Sequence, residues 1–223
     1  MKPALTIVEL IKSARRFCKI ESHENHIELI GITDGKAVGT YVEHKFQKFL
    51  QSQYTVEVGS SAKGIDLPGA EIQTDIKVTS ITQPQSSCPF KNARQKIFGL
   101  GYNLLVFVYD KRDTNDTCTL YFTHCTFISK ERTADYTITR RLREMVHDGA
   151  NKEDVIGFLQ DKNVPGDDIV YNELANEILD YPPKQGYLTI SNALQWRLQY
   201  TRVIALNNSV KGVINYEWKT RIW

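Results

Sequence analysis

The sequence predicts an α/β fold, a mixed sheet with helices on its faces, followed by a mostly helical C-terminal region. Three observations lead there. Leu104-Leu-Val-Phe-Val-Tyr109 is an unbroken apolar run, the pattern of a strand buried on both faces. From Glu71 to Thr79 the chain alternates: Ile72, Ile76 and Val78 fall on one parity, and Glu71, Gln73, Asp75 and Lys77 on the other. Period two describes a strand with one apolar and one charged face. Ahead of both lie two stripes at helical spacing, so helices precede and cover the strands.

The first helix runs from Ala4 to Lys19 through Leu5, Val8, Ile11 and Phe17, with Lys12, Arg15 and Arg16 beside the stripe. His23, Glu24, His26 and Glu28 follow in a polar stretch that reads as loop and helix start rather than as a metal cluster. Ile27 to Ile32 is a short helical turn. The second helix spans Ala37 to Gln51 through Val38, Tyr41, Val42, Phe46, Phe49 and Leu50. Within it Glu43 is either surface charge or an acid aimed at a site. Tyr54 to Val58 and Ile65 to Leu67 read as strands, and Pro68-Gly69 as a turn before the alternating strand. A polar, proline-broken loop from Thr79 to Pro89 leads to a helix, Phe90 to Leu100, and then to the buried strand. A turn at Asp113 to Asp116 introduces a last strand, Thr119 to Ile128. An arginine-rich helix, Thr137 to Val146, closes the segment.

At Gly149-Ala150-Asn151 the character changes, which divides the chain into 1–148 and 149–223. The second part reads as helices at 153–161 and 171–179 and a third from Ser191 through Leu194, Trp196 and Leu198. Val203 to Leu206 and Gly212 to Trp218 flank Asn207-Asn208 in a hairpin pattern. Three helices and a hairpin predict a winged-helix-like region, with Gln195 and Arg197 on or near a recognition helix. A helical packing unit that never touches DNA gives the same pattern.

Composition narrows the function classes. At 223 residues with 41% apolar and 24% charged side chains, the chain is an ordinary globular protein of one large domain, or one with a smaller partner. A net charge of +2 excludes a globally basic protein, so any nucleic-acid contact must rest on local patches. No apolar run approaches the ~20 residues of a membrane span, and the first residues carry no signal-peptide pattern, so a cytoplasmic protein with no membrane partner is expected. Cys18, Cys88, Cys118 and Cys125 form no CxxC pair and read as reduced thiols. Cys118, His124 and Cys125 lack a fourth ligand and the spacing for zinc.

The chemistry sits around the turn. Asp66 ends one predicted strand, and Asp75 and Lys77 leave the next on one side, so two carboxylates and an ammonium converge. Mg²⁺ takes hard carboxylate oxygens and polarises phosphoryl oxygens and water, while a lysine orients that water, which suits phosphodiester hydrolysis. A solvated strand face carrying Asp-Ile-Lys would look the same. In the loop, Gln83, Gln85, Ser86 and Ser87 offer groups to a polar ligand. On the helix after it, Lys91, Arg94 and Gln95 share one face at i, i+3, i+4 and suit phosphate contacts.

Glu43, Gly64-Ile-Asp66, Asp75-Ile-Lys77, a helix with Gln95 and an apolar strand together resemble the PD-(D/E)XK nuclease superfamily, with type II restriction endonucleases as the branch. The resemblance covers residues 37–110. Ile65 stands where the motif name has proline. Glu71 competes with Asp75 for the second acid but lacks a lysine two residues later. The resemblance implies a restriction-endonuclease-like fold and a Mg²⁺-dependent endonuclease cutting double-stranded DNA at a short specific site. It implies Mg²⁺ on Asp66, Asp75 and Glu43, Lys77 acting on the attacking water, Mn²⁺ as a substitute, and Ca²⁺ supporting binding without cleavage. A homodimer would match a palindromic site. Two other readings remain: a repair or junction-resolving nuclease, and a catalytically inactive DNA-binding module.

Overall fold

The computed structural model describes residues 2–59, 64–87, 92–191 and 196–218. Its elements are α1 (Ile7–Glu21), α2 (Gly35–Gln53), β1 (Thr74–Ser80), β2 (Gln85–Ser87), α3 (Arg94–Phe98), β3 (Asn103–Asp113), β4 (Cys118–Ile128), α4 (Tyr136–His147), α5 (Lys152–Asp161), α6 (Asp168–Asp180), β5 (Thr189–Ile190), β6 (Arg197–Gln199), α7 (Thr201–Ile204) and β7 (Val213–Glu217). Short 3₁₀ turns lie at Ile27–Leu29 and Lys130–Arg132. The chain divides into two units. One holds Met1–Ser86, Asn103–Ile128 and Ile204–Trp223, and the other holds Ser87–Tyr102 and Ser129–Val203.

The first unit is a four-stranded mixed sheet in the order β1-β3-β4-β7. β1 runs parallel to β3, with Asp75 opposite Leu104 and Lys77 opposite Val106. The β3–β4 and β4–β7 pairs are antiparallel. The expected apolar run behaves as its composition requires, since Leu104 to Tyr109 are all buried. α1 packs on β4 and α2 on β1. Phe17 of α1 joins the layers, its ring centroid lying 5.1 Å from Phe46, 5.8 Å from Phe107 and 6.0 Å from Phe122. These edge-on and tilted aromatic contacts fix α1 and α2 over the sheet centre. The mixed sheet flanked by helices is the architecture expected from the sequence.

Two expected strands shrink to single bridges. Of Tyr54 to Val58, only Thr55 pairs, with Ala4. Of Ile65 to Leu67, only Leu67 pairs, with Thr74 across two backbone bonds of 3.0 Å. Beyond these single bridges neither segment carries a ladder. The C-terminal hairpin is also absent. Val203 and Ile204 lie in α7, and β7 instead extends the sheet along β4. Asn208, in left-handed geometry (φ 52°), supplies the reason: its side chain accepts from Asn215 N at 2.6 Å and donates to Asn215 O at 2.8 Å, pinning the middle of β7.

The second unit packs α3, α4, α5 and α6 around Ile97, Leu142, Val155, Leu159, Leu174 and Ile178. Each longer helix starts at a capping side chain. Asp135 Oδ1 accepts from Ile138 N at 2.9 Å, Asn151 forms a capping box with Asp154, and Asp167 accepts from Val170 N at 3.0 Å. The predicted boundary at 148/149 falls inside this unit. A recognition helix carrying Arg197 is overturned, because Arg197 lies on β6, paired antiparallel with β5. The helix-like spacing of Leu194 and Leu198 misleads there, since Tyr200 and Leu198 are also buried at strand parity.

Gly59 tests how the fold sets the next layer. Its N–H donates to Asp66 O at 2.8 Å, and a Cβ there would stand 2.0 Å from Ile65 O. Gly59→Ala should therefore destabilise the protein by about 1–3 kcal/mol and displace the Asp66 segment. Urea melts together with a DNA-cleavage assay check it. Unchanged stability and cleavage would show that the segment yields freely.

Candidate active site

Four side chains meet in the first unit, and each is placed by a different local rule. Asp34 caps α2 by accepting from Lys36 N at 3.0 Å. Val38, Val42, Phe46 and Leu50 bury one stripe of that helix. Gly39 sits against Val78 of β1, and Glu43, one turn later on the same face, is carried to the strand half-buried. Gln47, one further turn on, donates from Nε2 to Glu43 Oε1 at 3.2 Å.

Asp66 comes from the segment before the turn. Gly69 O accepts from Ile72 N at 2.8 Å and from Gln73 N at 2.9 Å, and Gln73 has a φ of 36°. The turn closes the Leu67–Thr74 bridge and sets Asp66 beside β1, where its Oδ2 accepts from Ile76 N at 2.7 Å. Asp75 and Lys77 share the other parity of β1. Lys77 Nζ lies 2.7 Å from Asp75 Oδ2, and Asp75 is only 5% exposed. On this face Asp75 is buried and Lys77 half-buried, while Glu71, of the same parity, is exposed.

The electrostatics follow from crowding. Burial pushes Asp75 up to about 7, with the neighbouring Asp66 adding to the rise and Lys77 opposing it. Burial also raises Asp66, against its bonds to Asp75 and the Ile76 amide. Glu43 is raised by burial and by the charge of Asp75, and lowered by its bond to Asp66 and by Lys77. The three carboxyls, Glu43, Asp66 and Asp75, crowd against one ammonium, which cannot neutralise three charges. Among the described residues, no three His, Cys, Asp or Glu side chains already stand in metal-holding geometry. Still, three hard oxygen donors with raised pKa values, closed by hydrogen bonds to one another, fit a divalent cation.

The other expected site residues scatter. Thr79 continues the Asp75–Lys77 parity, is buried, and bonds the loop: its hydroxyl donates toward Gln83 O (3.1 Å) and Gln85 O (3.0 Å) and accepts from Gln85 N (3.1 Å). Gln83 and Ser87 are exposed, and Gln85 and Ser86 half-buried. Arg94 is held by Glu177 at 2.5–3.0 Å and lies over Phe98 at 4.8 Å, so its guanidinium is already engaged within the protein. Gln95 Nε2 donates to Leu100 O at 3.5 Å. Lys91 and Gln195 lie outside the described residues, as does Cys88. Cys18, Cys118 and Cys125 are free and buried. His26 is buried, its Nε2 3.0 Å from Glu21 O and its Nδ1 3.3 Å from the Tyr41 hydroxyl. Thr79 and Gln47 went unread from the sequence. The signals were there: Thr79 keeps the parity of Asp75 and Lys77, and Gln47 stands four residues from Glu43 on a helix.

A family model described as "Type II restriction enzyme NspV" matches residues 4–215. A curated protein described as type II restriction enzyme NspV, from Nostoc sp., is 54% identical over 212 residues, covering 94% of this chain and 96% of its own. No solved structure matches the chain.

The raised pKa of Asp75 gives a signed prediction for the metal-free protein. The folded state holds a proton that the unfolded chain releases near 3.8, so the stabilising contribution is complete below that value and is lost as pH rises through about 7. Asp75→Asn removes the group that must ionise. Above pH ~8 the variant should be more stable than wild type by about 1–3 kcal/mol, and the gap should narrow as pH falls and close near pH ~4. Urea melts in chelator at both pH values decide it. A variant less stable at the higher pH would mean that the pairing with Lys77 outweighs burial.

Proposed function

The chain belongs to the type II restriction enzyme NspV family, and from that membership, which makes it a site-specific restriction endonuclease, we propose that Glu43, Asp66, Asp75 and Lys77 are its catalytic centre. The observation that carries this reading is the buried Asp75–Lys77 pair at 2.7 Å beside Asp66. Glu43, Asp66 and Asp75 would hold Mg²⁺, which when bound supplies Lewis-acid polarisation of a phosphoryl oxygen and an acidified water. Mn²⁺ would substitute, and Ca²⁺ would support binding without cleavage.

The residues of the chain do the rest. With a cation on the acids, Lys77 Nζ need not neutralise Asp75, and it donates to the attacking water and to the charge developing on the phosphate. Burial of Asp75 keeps bulk water from screening those charges. The water oxygen would bond phosphorus and give its proton to a carboxylate or solvent, while the bond to the 3′ oxygen breaks and that oxygen takes a proton from solvent. The ends are then a 5′-phosphate and a 3′-hydroxyl. Gln83, Gln85, Ser86 and Ser87 are the proposed base-reading set, since Thr79 ties their loop to the catalytic strand. An amide pairs bidentately with an adenine edge in the major groove. A palindromic site would be met by a homodimer, one centre to each strand. Among the described residues no helix is long and apolar enough to cross a membrane. A cytoplasmic location, where cellular DNA is found, is part of the proposal.

Plasmid digestion tests the function: discrete bands with Mg²⁺ and none with EDTA are expected, whereas a smear or structure-dependent nicking would favour a repair or junction-resolving enzyme. Lys77→Ala should lose cleavage by several orders of magnitude while calorimetry still detects Mn²⁺ binding. Retained turnover in that variant would remove Lys77 from the mechanism. Gln85→Ala should weaken binding to the cognate duplex, in Ca²⁺, by about 1–3 kcal/mol and leave scrambled duplex unaffected. Equal weakening of both would make the loop a backbone contact.

A further inference from the structure

Helix α1 carries cations that the catalytic centre does not use. Lys12, Arg15, Arg16 and Lys19 stand at i, i+3, i+4 and i+7, share one face, and are exposed. With Tyr216 of β7 they line a groove of about 340 Å³. Two of them are held in place by rings rather than by acids: Arg15 lies 4.7 Å over Tyr216 and Arg16 5.0 Å over Phe49. Tyr216 is backed in turn by Trp218, 6.4 Å away and stacked.

The clustering of charges marks this face. Several cations elsewhere sit against acids, as with Lys45 on Glu21, Arg112 on Asp110 and Arg94 on Glu177. On α1 only Lys12 has such a partner, Glu9 at 2.9 Å. Arg15, Arg16 and Lys19 have no acid partner among the described residues. A chain with a net charge of only +2 therefore concentrates three uncompensated cations on one ordered groove. A row of regularly spaced anions complements it, and the phosphate backbone of a duplex is such a row.

We propose that the α1 groove is a second backbone-docking surface, taking phosphates of duplex DNA outside the segment being cut. Strand β7, which supplies Tyr216, is three strands from β1 in the sheet. At ordinary strand spacing that is about 14 Å, too far to touch the phosphate under attack. The arginines suit this role, because stacked guanidiniums keep their edge N–H groups available to fork onto phosphate oxygens. This surface adds affinity without sequence information, because backbone contacts position the protein and carry no base identity. The inference rests on duplex DNA as the substrate.

The test replaces all three side chains in the full-length protein, Arg15→Gln, Arg16→Gln and Lys19→Gln, which keeps the packed stems and removes the charge. Binding in Ca²⁺ is measured across a salt series on two duplexes, one ending at the recognition site and one extending a helical turn beyond it on each side. On the long duplex the slope of log affinity against log salt should become shallower by about two to three units. On the short duplex wild type and variant should agree. Arg15→Lys with Arg16→Lys, which loses stacking but keeps charge, should retain most of the slope, and thermal melting confirms that all variants are folded. An unchanged slope on the long duplex overturns the proposal and leaves the face to an acidic protein. An equal loss on both duplexes overturns it too, since the groove would then contact the site itself. Plasmid cleavage by the wild type at low salt is read in parallel. Failure of wild type to cut would fault the catalytic reading and leave the slope comparison standing.

Discussion

The outer edge of β1 is the constraint on which the site depends. β1 pairs with β3 on one side only, so the backbone groups on its other side need partners. Leu67 satisfies Thr74 through two backbone bonds, and the next outward N–H, that of Ile76, is met by the Asp66 carboxylate at 2.7 Å. A side chain thus stands in for a missing strand. The same bond that finishes the sheet edge sets Asp66 beside Asp75. Gly59 and the turn at Gly69 hold the segment at that spacing. Closing the sheet and assembling the acids are one structural event.

Crowding three carboxyls against one ammonium then gives the site its character. Each acid is displaced upward mainly by burial, and Lys77 opposes the rise in all three. Burial of Asp75 makes its charged form the costly one, a cost that a bound cation would offset. Gln47 on Glu43 and Thr79 on the Gln83–Gln85 loop brace this arrangement on either side.

Legibility in the sequence followed the length of the pattern. The alternation ending in Asp75 and Lys77 and the run from Leu104 to Tyr109 are long enough to fix both strand and facing. The acids and the lysine could be picked from them, and Glu43 from its turn of helix beside Gly39. The single bridges at Thr55 and Leu67 were not separable from strands, because two or three β-prone residues read alike in either. Around Arg197 a short apolar pattern satisfied both periods, and tertiary pairing with β5 decided for the strand. Arg94 looked available for phosphate because its partner, Glu177, lies far off in sequence. The upward shifts of Glu43, Asp66 and Asp75 were beyond the sequence for the same reason: they depend on burial created by chain segments that only the fold brings together.

The central claim is that the carboxyl cluster of Glu43, Asp66 and Asp75 is the cation site. The most direct measurement is calorimetric titration of Mn²⁺ into the wild-type protein in buffers of different ionisation enthalpy, which reads protons released per ion bound. With Asp75 near 7, binding close to neutral pH should release a substantial fraction of a proton, and the release should vanish above pH ~9. Mn²⁺ binding that releases no proton at neutral pH, or that proceeds with unchanged affinity in an Asp66→Asn, Asp75→Asn double variant, would contradict the account.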